Sequence, residues 1–465
     1  MPVQDAVPYL VTLLHIASAA GVTVHALLRK RDVASAIGWI GLAWLSPIVG
    51  SLLYVVLGIN RVHTRAEQLQ RPSLRARSGG DNPLVPFEGL AAAVERITGR
   101  GIESGNRIAM LSAGDGAYPQ MLDAIGAARS SIALSSYIFR ADKAGNAFIA
   151  ALAAARRRGV EVRVLIDGIG GNYLLSPAYH RLRAEGIPAA RFLHSPLPWR
   201  MPFLNLRNHK KILVVDGRVG FTGGLNIGAE NVLADNPRHP VRDTHFRVEG
   251  PVIAQLMEAF AEDWQFASGE SLSGPAWFPP LTDVGDIAAR VVTSGPDQDL
   301  GKLESVLLNV IAVARRTIRI ASPYFLPDDR LCSALEMAAL RGIAVDIVIP
   351  GKGNHAVLDW AVPTQIRPLV AAGCRVWHAP PPFVHSKLMA VDGCWALVGS
   401  ANWDVRSLRL NFELDLEVYS EAFAVEIDAA IDTRRCRRVT LADLDQRSFP
   451  VKLRDAAARL LLRYL

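Results

Sequence analysis

A chain of 465 residues exceeds what one hydrophobic core serves, so two or more domains are expected. Half of its residues are hydrophobic and the mean hydropathy is +0.19, which excludes a protein that is soluble throughout. The net charge of +7 and isoelectric point near 9.4 call for an anionic partner, either a nucleic acid or an acidic membrane surface. Cys332, Cys374, Cys394 and Cys436 show no C-x-x-C spacing, so neither a disulfide framework nor a zinc site is expected.

The chain opens on two uncharged runs, residues 7–28 and 33–59, each long enough to cross a hydrocarbon core of about 30 Å. No basic region precedes the first run and a second follows at once, unlike a cleaved signal peptide. The pattern predicts a membrane-embedded helical hairpin over residues 1–60. Pro47 and Gly50 are the places where its second helix could break into an interfacial form. Arg29, Lys30 and Arg31 fill the turn, whereas Arg61, Arg65, Arg71, Arg75 and Arg77 follow the second run. The larger downstream cluster favours a cytoplasmic catalytic region. Residues 61–105 are polar, Arg-rich and broken by Gly79-Gly80 and Pro83, as a basic linker near a bilayer would be.

An α/β pattern then occurs twice, over residues 106–285 and 286–440. In the first copy a strand at 131–137 leads to an Ala-rich helix ending at Gly159 and a strand at 160–166. In the second, a strand at 317–322 leads to a helix stopping at Gly342 and a strand at 343–349. The short, β-branched apolar runs suit buried strands of a covered sheet. The copies are offset by about 180 residues and predict two similar α/β/α halves with pseudo-twofold symmetry. Residues 441–465 form an amphipathic tail with Lys452, Arg459 and Arg463 opposite Leu453, Leu460, Leu461 and Tyr464. A packed closing helix and a helix lying on a membrane are both compatible with it.

Each half carries one copy of H-x-K-x4-D-x6-G-[GS]-x-N. The first is His209, Lys211, Asp216, Gly223, Gly224 and Asn226, and the second is His385, Lys387, Asp392, Gly399, Ser400 and Asn402. On a strand, histidine and lysine two apart share a face. Brought together, the two motifs supply two imidazoles, two ammonium groups and two amides to one phosphate. Lys211, Lys387, Asn226 and Asn402 would neutralise the phosphoryl oxygens. One neutral histidine attacks phosphorus and the other, protonated, serves the leaving alcohol, with mutual repulsion splitting their titrations. Asp243 is expected to orient His209, and Glu413 to orient His385. Asp216 and Asp392 belong to the catalytic motif, although a turn carboxylate more often caps backbone amides. His239, His245, His355 and His378 are read as ordinary residues. No ligand spacing supports a metal, and no cofactor is expected.

These motifs are those of the phospholipase D superfamily, and the chain as a whole resembles its bacterial cardiolipin synthases. The likeness runs from residues 31–58, with Trp44, Pro47, Gly50 and Tyr54, to Leu408-Arg409-Leu410-Asn411-Phe412-Glu413. It takes in Ser322-Pro323-Tyr324-Phe325-Leu326-Pro327 and Arg406-Ser407-Leu408. The resemblance implies an inner-membrane, multi-pass enzyme that transfers a phosphatidyl group from one phosphatidylglycerol to another, giving cardiolipin and glycerol. It also implies that His209 becomes the phosphohistidine and His385 the general acid and base. Gly224 departs from the Ser400 pattern by lacking a hydroxyl. Membrane phospholipids are therefore the expected partners, with no nucleic acid and no obligate protein partner. Apolar residues 197–206 (Trp199, Met201, Phe203) and 376–384 (Trp377, Phe383) are candidates for a lip admitting acyl chains. A phospholipase D-type hydrolase, a transferase using another phospholipid or alcohol, a nuclease and a retired membrane scaffold are the competing readings.

Overall fold

The computed structural model describes residues 3–30, 33–58, 87–194 and 206–460, which divide into an N-terminal unit and a larger one at residue 68. The N-terminal unit begins with α1 (Val3–Arg29), whose stretch Tyr9–Leu28 is long and apolar enough to cross a membrane. It is the one such helix among the described residues. The second apolar run does not form a matching rod. It folds as α2 (Val33–Leu45), a break at residues 46–48, α3 (Val49–Leu53) and a π-helical turn, Tyr54–Gly58. Pro47 lacks the N–H an unbroken helix needs, and Ile48 sits at φ 60°. The 13 residues of α2 span about 20 Å, short of a hydrocarbon core. Ala19, Val22 and Ala26 bury against Ala43 and Tyr54, whose hydroxyl meets His25 Nδ1 at 2.7 Å. Leu10, Leu13, Leu27, Leu28 and Leu45 stay exposed. The downstream arginines 61–77 lie outside the described residues.

The larger unit is built on one sheet. The strands of its first half are β1 (Glu103–Ser112), β2 (Ser131–Ser136), β3 (Glu161–Asp167), β4 (Ala189–Phe192), β5 (Arg207–Asn208), β6 (Ile212–Val215), β7 (Val219–Gly223), β8 (Val241–Arg242) and β9 (Thr244–Glu249). Those of the second half are β10 (Ile287–Ser294), β11 (Thr317–Ala321), β12 (Phe325–Leu326), β13 (Ala344–Pro350), β14 (Arg375–Ala379), β15 (Phe383–Val384), β16 (Leu388–Val391), β17 (Trp395–Gly399), β18 (Trp403–Asp404), β19 (Asn411–Tyr419) and β20 (Arg437–Val439). From its outer edge inward the first half runs β4-β3-β2-β6-β7-β9-β1, and the second runs β20-β14-β13-β11-β16-β17-β19-β10. The duplication read from the sequence thus recurs in the strand order, with β20 as an added edge strand of the second half. The halves are not separate layers, however: β1 and β10 pair antiparallel (Glu103 opposite Ala289), which fuses both into one continuous sheet.

Helices cover both faces. Ile253–Ser268 and Glu421–Asp432 lie over the join, where Ile253, Leu256 and Phe260 share a core with Leu416, Phe423 and Ile427. Separate cores fill the outer parts of each half. The expected linker is partly folded: helix Glu88–Thr98 buries Leu90 and Val94 against Leu303, Val306 and Leu307 of the second half. In the tail, helix Phe449–Leu460 packs through Asp455 and Ala458 beside Ala356–Ala371. Its Phe449, Leu453 and Leu460 remain exposed, and residues 461–465 lie outside the described set. The basic run before the tail is largely consumed internally, Arg435 pairing with Asp346 and Asp432, and Arg437 with Asp443.

Candidate active site

Each motif histidine is delivered by a two-residue strand that crosses to the other half. β5 pairs parallel with β19, Arg207 opposite Asn411 and Asn208 opposite Phe412, and the next amide, His209 N, donates to Phe412 O at 2.9 Å. β15 does the same with β8, Phe383 opposite Val241 and Val384 opposite Arg242, and His385 N donates to Arg242 O at 2.8 Å. This register places each histidine beside the carboxylate of the opposite half. Nδ1 of His209 meets Glu413 Oε2 at 2.9 Å, and Nδ1 of His385 meets Asp243 Oδ2 at 2.7 Å. The expected pairing, Asp243 with His209 and Glu413 with His385, is therefore wrong. The carboxylates cross over because the strands that precede the histidines cross over.

The crossing brings the two histidines, the two motif lysines, Asp243 and Glu413 into one centre. With Nδ1–H donating to a carboxylate, Nε2 of each ring carries the lone pair, and that of His385 lies 3.0 Å from Lys387 Nζ. Burial pushes His209 down to about 4, with Glu413 opposing and Lys211 and Lys387 adding to the fall. Burial does the same to His385, also to about 4, assisted by Lys387 and Lys211 and opposed by Asp243. Each ring thus feels the lysine of the other motif. Burial is the first cause of the fall in both rings. Burial lowers Lys211 to about 7 and Lys387 to about 8. Burial disfavours the ionised carboxylates too, but Lys387 and His385 hold Asp243 below its usual range, and His209 and Lys211 hold Glu413 there.

The remaining motif positions divide by role. Asp216 Oδ1 accepts from the amides of Ser130 (2.7 Å) and Ser131 (2.9 Å), and its Oδ2 from Arg129 (3.0 Å). Asp392 repeats this with Arg315 (2.8 Å), Arg316 (2.7 Å) and Thr317 (2.8 Å). Both sit at positive φ in the turns after β6 and β16, on the order of 20 Å along the chain from their histidines. Their place in the catalytic set is corrected: they fix strand starts and take no part in the centre. Asn226 uses its carbonyl on Ile138 N (3.0 Å), leaving its amide NH2 as a donor. Asn402 Nδ2 donates to Ser407 Oγ (3.1 Å), while its buried Oδ1 has no partner. Turning that amide over would let the serine donate and place the NH2 in the unpartnered position.

Gly224 and Ser400 differ for a local reason. A Cβ on Gly224 would lie 2.2 Å from Asp243 Oδ1, whereas the Ser400 hydroxyl donates to Glu413 Oε2 at 2.5 Å. Each residue suits the carboxylate it touches.

Several site residues went unassigned in the sequence. The rings of Tyr137 and Tyr324 stand edge-on to His209 and His385, at 4.8 and 6.1 Å. Both follow the strand that leads each repeat, so the duplication itself carried the signal. Lys210 is buried against Asp263 at 3.0 Å, and Asp263 also accepts from Asn208 (2.9 Å), which anchors the strand before His209. A charged residue within the apolar helix Ile253–Ser268 was its trace in the sequence. At the matching place in the second half, Ser386 Oγ meets Thr244 Oγ1 at 2.8 Å, and Arg434 donates to Thr244 Oγ1 at 2.9 Å. Arg434 thus ties the strand bearing Asp243 to the loop bearing His385. Of the expected lip, residues 197–205 lie outside the described set. Trp377 is held in the sheet by Asp346 (3.0 Å), while Phe383 stands 5.8 Å from the His385 ring. Among the described residues no His, Cys, Asp and Glu cluster could hold a metal.

Two buried histidine–lysine motifs of a duplicated α/β sheet, closed over one another, define a phospholipase D-like protein. The model of the family described as "Cardiolipin synthase, PLD-like domain" matches residues 121–264 and 307–434, and the chain belongs to that family. It is 34% identical to cardiolipin synthase A of Pseudomonas aeruginosa over 91% of this chain and 89% of that one. It is 32% identical to cardiolipin synthase 1 of Bacillus anthracis, over 95% and 91% respectively. Among solved structures, the phosphatidylserine synthase of Haemophilus influenzae Rd KW20 superposes with a TM-score of 0.60. That match covers 77% of this chain and 95% of the other at 16% identity, a likeness of fold.

Proposed function

We propose that this chain is a phosphatidyltransferase that joins two phosphatidylglycerol molecules into cardiolipin and releases glycerol. The observation that carries the reading is the crossed pairing, His209 with Glu413 and His385 with Asp243, which supports one shared centre for a single phosphate. Nε2 of His209 attacks phosphorus, forming a P–N bond as the P–O bond to glycerol breaks. The glycerol oxygen leaves with a proton from His385. A hydroxyl of the second phosphatidylglycerol then gives its proton to His385 as its oxygen displaces His209. Lys211, Lys387, Asn226 and Asn402 hold the phosphoryl oxygens throughout. The incoming phosphate anion raises the affinity of His385 for the proton it must donate. The duplicated halves act as pseudo-twofold partners, and neither needs a metal or cofactor for these steps.

The enzyme works at a membrane. α1 spans it and residues 33–58 return through it as a broken helix, giving a multi-pass anchor in a bacterial inner membrane with the catalytic unit on the cytoplasmic side. The boundaries 1–60, 61–105, 106–285, 286–440 and 441–465 describe its parts, with the linker ending early at helix Glu88–Thr98.

The test is direct. Purified full-length protein supplied with phosphatidylglycerol vesicles is expected to form cardiolipin and free glycerol, read by mass spectrometry. Phosphatidic acid as the dominant product would convert the reading to a hydrolase. Ethanolamine release on adding phosphatidylethanolamine would identify a different co-substrate.

A further inference from the structure

The outer ends of the two halves match in register but not in filling. β4 ends with Phe192 opposite Asp167, and the ring of Tyr179 covers Arg191 just before it, 4.8 Å from the guanidinium carbon. β14 ends with Ala379 opposite Pro350, and the residue just before it is His378. His378 instead lines a cavity of about 300 Å³, framed by helices Ala356–Ala371 and Leu441–Asp445.

Buried apolar side chains floor this cavity, among them Phe325, Ile349, Ile366 and Leu444. Most of the charges around it are spent. Arg437 is paired with Asp443, Arg447 with Asp455 at 2.8 Å, and Asp359 accepts from the amide of Gly353 at 3.0 Å. Lys352 and the ring of His378 remain, and neither makes a hydrogen bond or ion pair among the described residues. Burial, and then Arg437, hold His378 below the usual imidazole range, so it faces the cavity as a neutral N–H donor. An apolar floor with one unpaired ammonium and one imidazole suits an anion that carries an apolar body.

The cavity adjoins the catalytic centre on one flank. Pro323 and Phe325 line it, and Tyr324 between them sets its ring 6.1 Å from His385 and 6.3 Å from Phe383. The Tyr324 hydroxyl donates to Asn354 Oδ1 at 2.6 Å, in the loop that carries Lys352. In the reaction proposed above, His209 attacks from one side of phosphorus. Glycerol leaves and the acceptor enters on the other, where His385 handles the proton. The acceptor is itself an anionic amphiphile. Its acyl esters lie about 12 Å from its reacting hydroxyl, across ten single bonds of about 1.5 Å, so the lipid runs out past Tyr324. We propose that this cavity is the acceptor pocket, holding the phosphodiester of the second phosphatidylglycerol at Lys352 and His378 and the start of its chains on the apolar floor. The inference rests on the transferase reading and names where that reaction seats its second substrate. The volume equals about ten waters, enough for a phosphodiester and a few methylenes, with the chains continuing into the bilayer. A small alcohol reaches the same phosphorus without using it.

The experiment is a competition. Full-length protein and its Lys352→Gln and Val362→Trp variants are given phosphatidylglycerol vesicles with ethanol, and cardiolipin and phosphatidylethanol are measured in one reaction. Val362 lines the cavity, and tryptophan there fills it without altering a charge. The ratio of cardiolipin to phosphatidylethanol is expected to fall about tenfold in Lys352→Gln, the usual size for losing a charged hydrogen-bond donor. In Val362→Trp it should fall at least as far. Lys352 is exposed, so its variant decides the matter if the tryptophan variant fails to fold. An unchanged ratio in Lys352→Gln overturns the inference. So does an equal loss of both products in that variant, since the cavity would then serve the donor lipid. If the unaltered protein forms phosphatidylethanol and phosphatidic acid but no cardiolipin, the transferase reading has failed, and the inference with it.

Discussion

Lys211 and Lys387 are poised close to neutrality, at about 7 and about 8, because burial strips water from their ammonium groups. A bound phosphodiester favours the cationic form, so affinity must weaken as rising pH removes the proton. KM for phosphatidylglycerol is expected to climb between pH 7 and pH 9, by at most about tenfold per unit for each lysine. Steady-state kinetics on vesicles across that range would measure it, and a flat KM would show that the lysines stay charged. The orienting carboxylates make a second expectation. Glu413→Gln and Asp243→Asn keep the shape of the side chain but offer no charge to stabilise the imidazolium. Each should lower kcat by about a hundredfold or more with the fold retained by circular dichroism. The motif residues were legible in the sequence because they are local, with histidine, lysine and asparagine at fixed spacing. Which carboxylate serves which histidine was not legible. It depends on β5 lying against β19 and β15 against β8, pairings between residues about 200 and about 140 positions apart that no local pattern encodes.

At the scale of elements, the turns after β6 and β16 show how a conserved-looking spacing serves structure. The single carboxylates of Asp216 and Asp392 each gather three amides from the start of a neighbouring strand, β2 or β11. Alanine at either position should lower the unfolding free energy by about 1–3 kcal/mol, the cost of leaving such donors without partners. Turnover per folded molecule should stay within about twofold, and denaturant titration alongside an active-site count separates the two effects. A comparable loss of turnover at unchanged stability would return these aspartates to the chemistry. The helix ends and strands were readable from glycine punctuation and β-branched runs. The break in the second apolar run was readable as well, since Pro47 cannot donate within a helix. Helix Glu88–Thr98 was masked by its polar surroundings, because the two residues that seat it, Leu90 and Val94, make only a faint stripe.

For the whole molecule, the duplication predicted two halves but not their fusion. The sequence repeats within each half, whereas the β1–β10 seam occurs once and has no second copy to reveal it. The N-terminal unit and the larger one are separately compact, so removal of residues 1–58 should leave the catalytic unit folded, with its cooperative thermal transition intact. Sedimentation with phosphatidylglycerol vesicles should fall sharply. Full retention on vesicles would assign the attachment to another surface, such as the exposed Phe449, Leu453 and Leu460.

The exchange of carboxylates between the halves has a further consequence for the life of the protein. While only the N-terminal portion has emerged from the ribosome, His209 has no Glu413 to steady it and no His385 opposite. A product truncated before β15 lacks His385, Lys387 and Glu413, and so owns no finished centre. Lipid-cleaving power is thereby withheld until the last strands are in place, which protects the host bilayer from its own half-made enzyme.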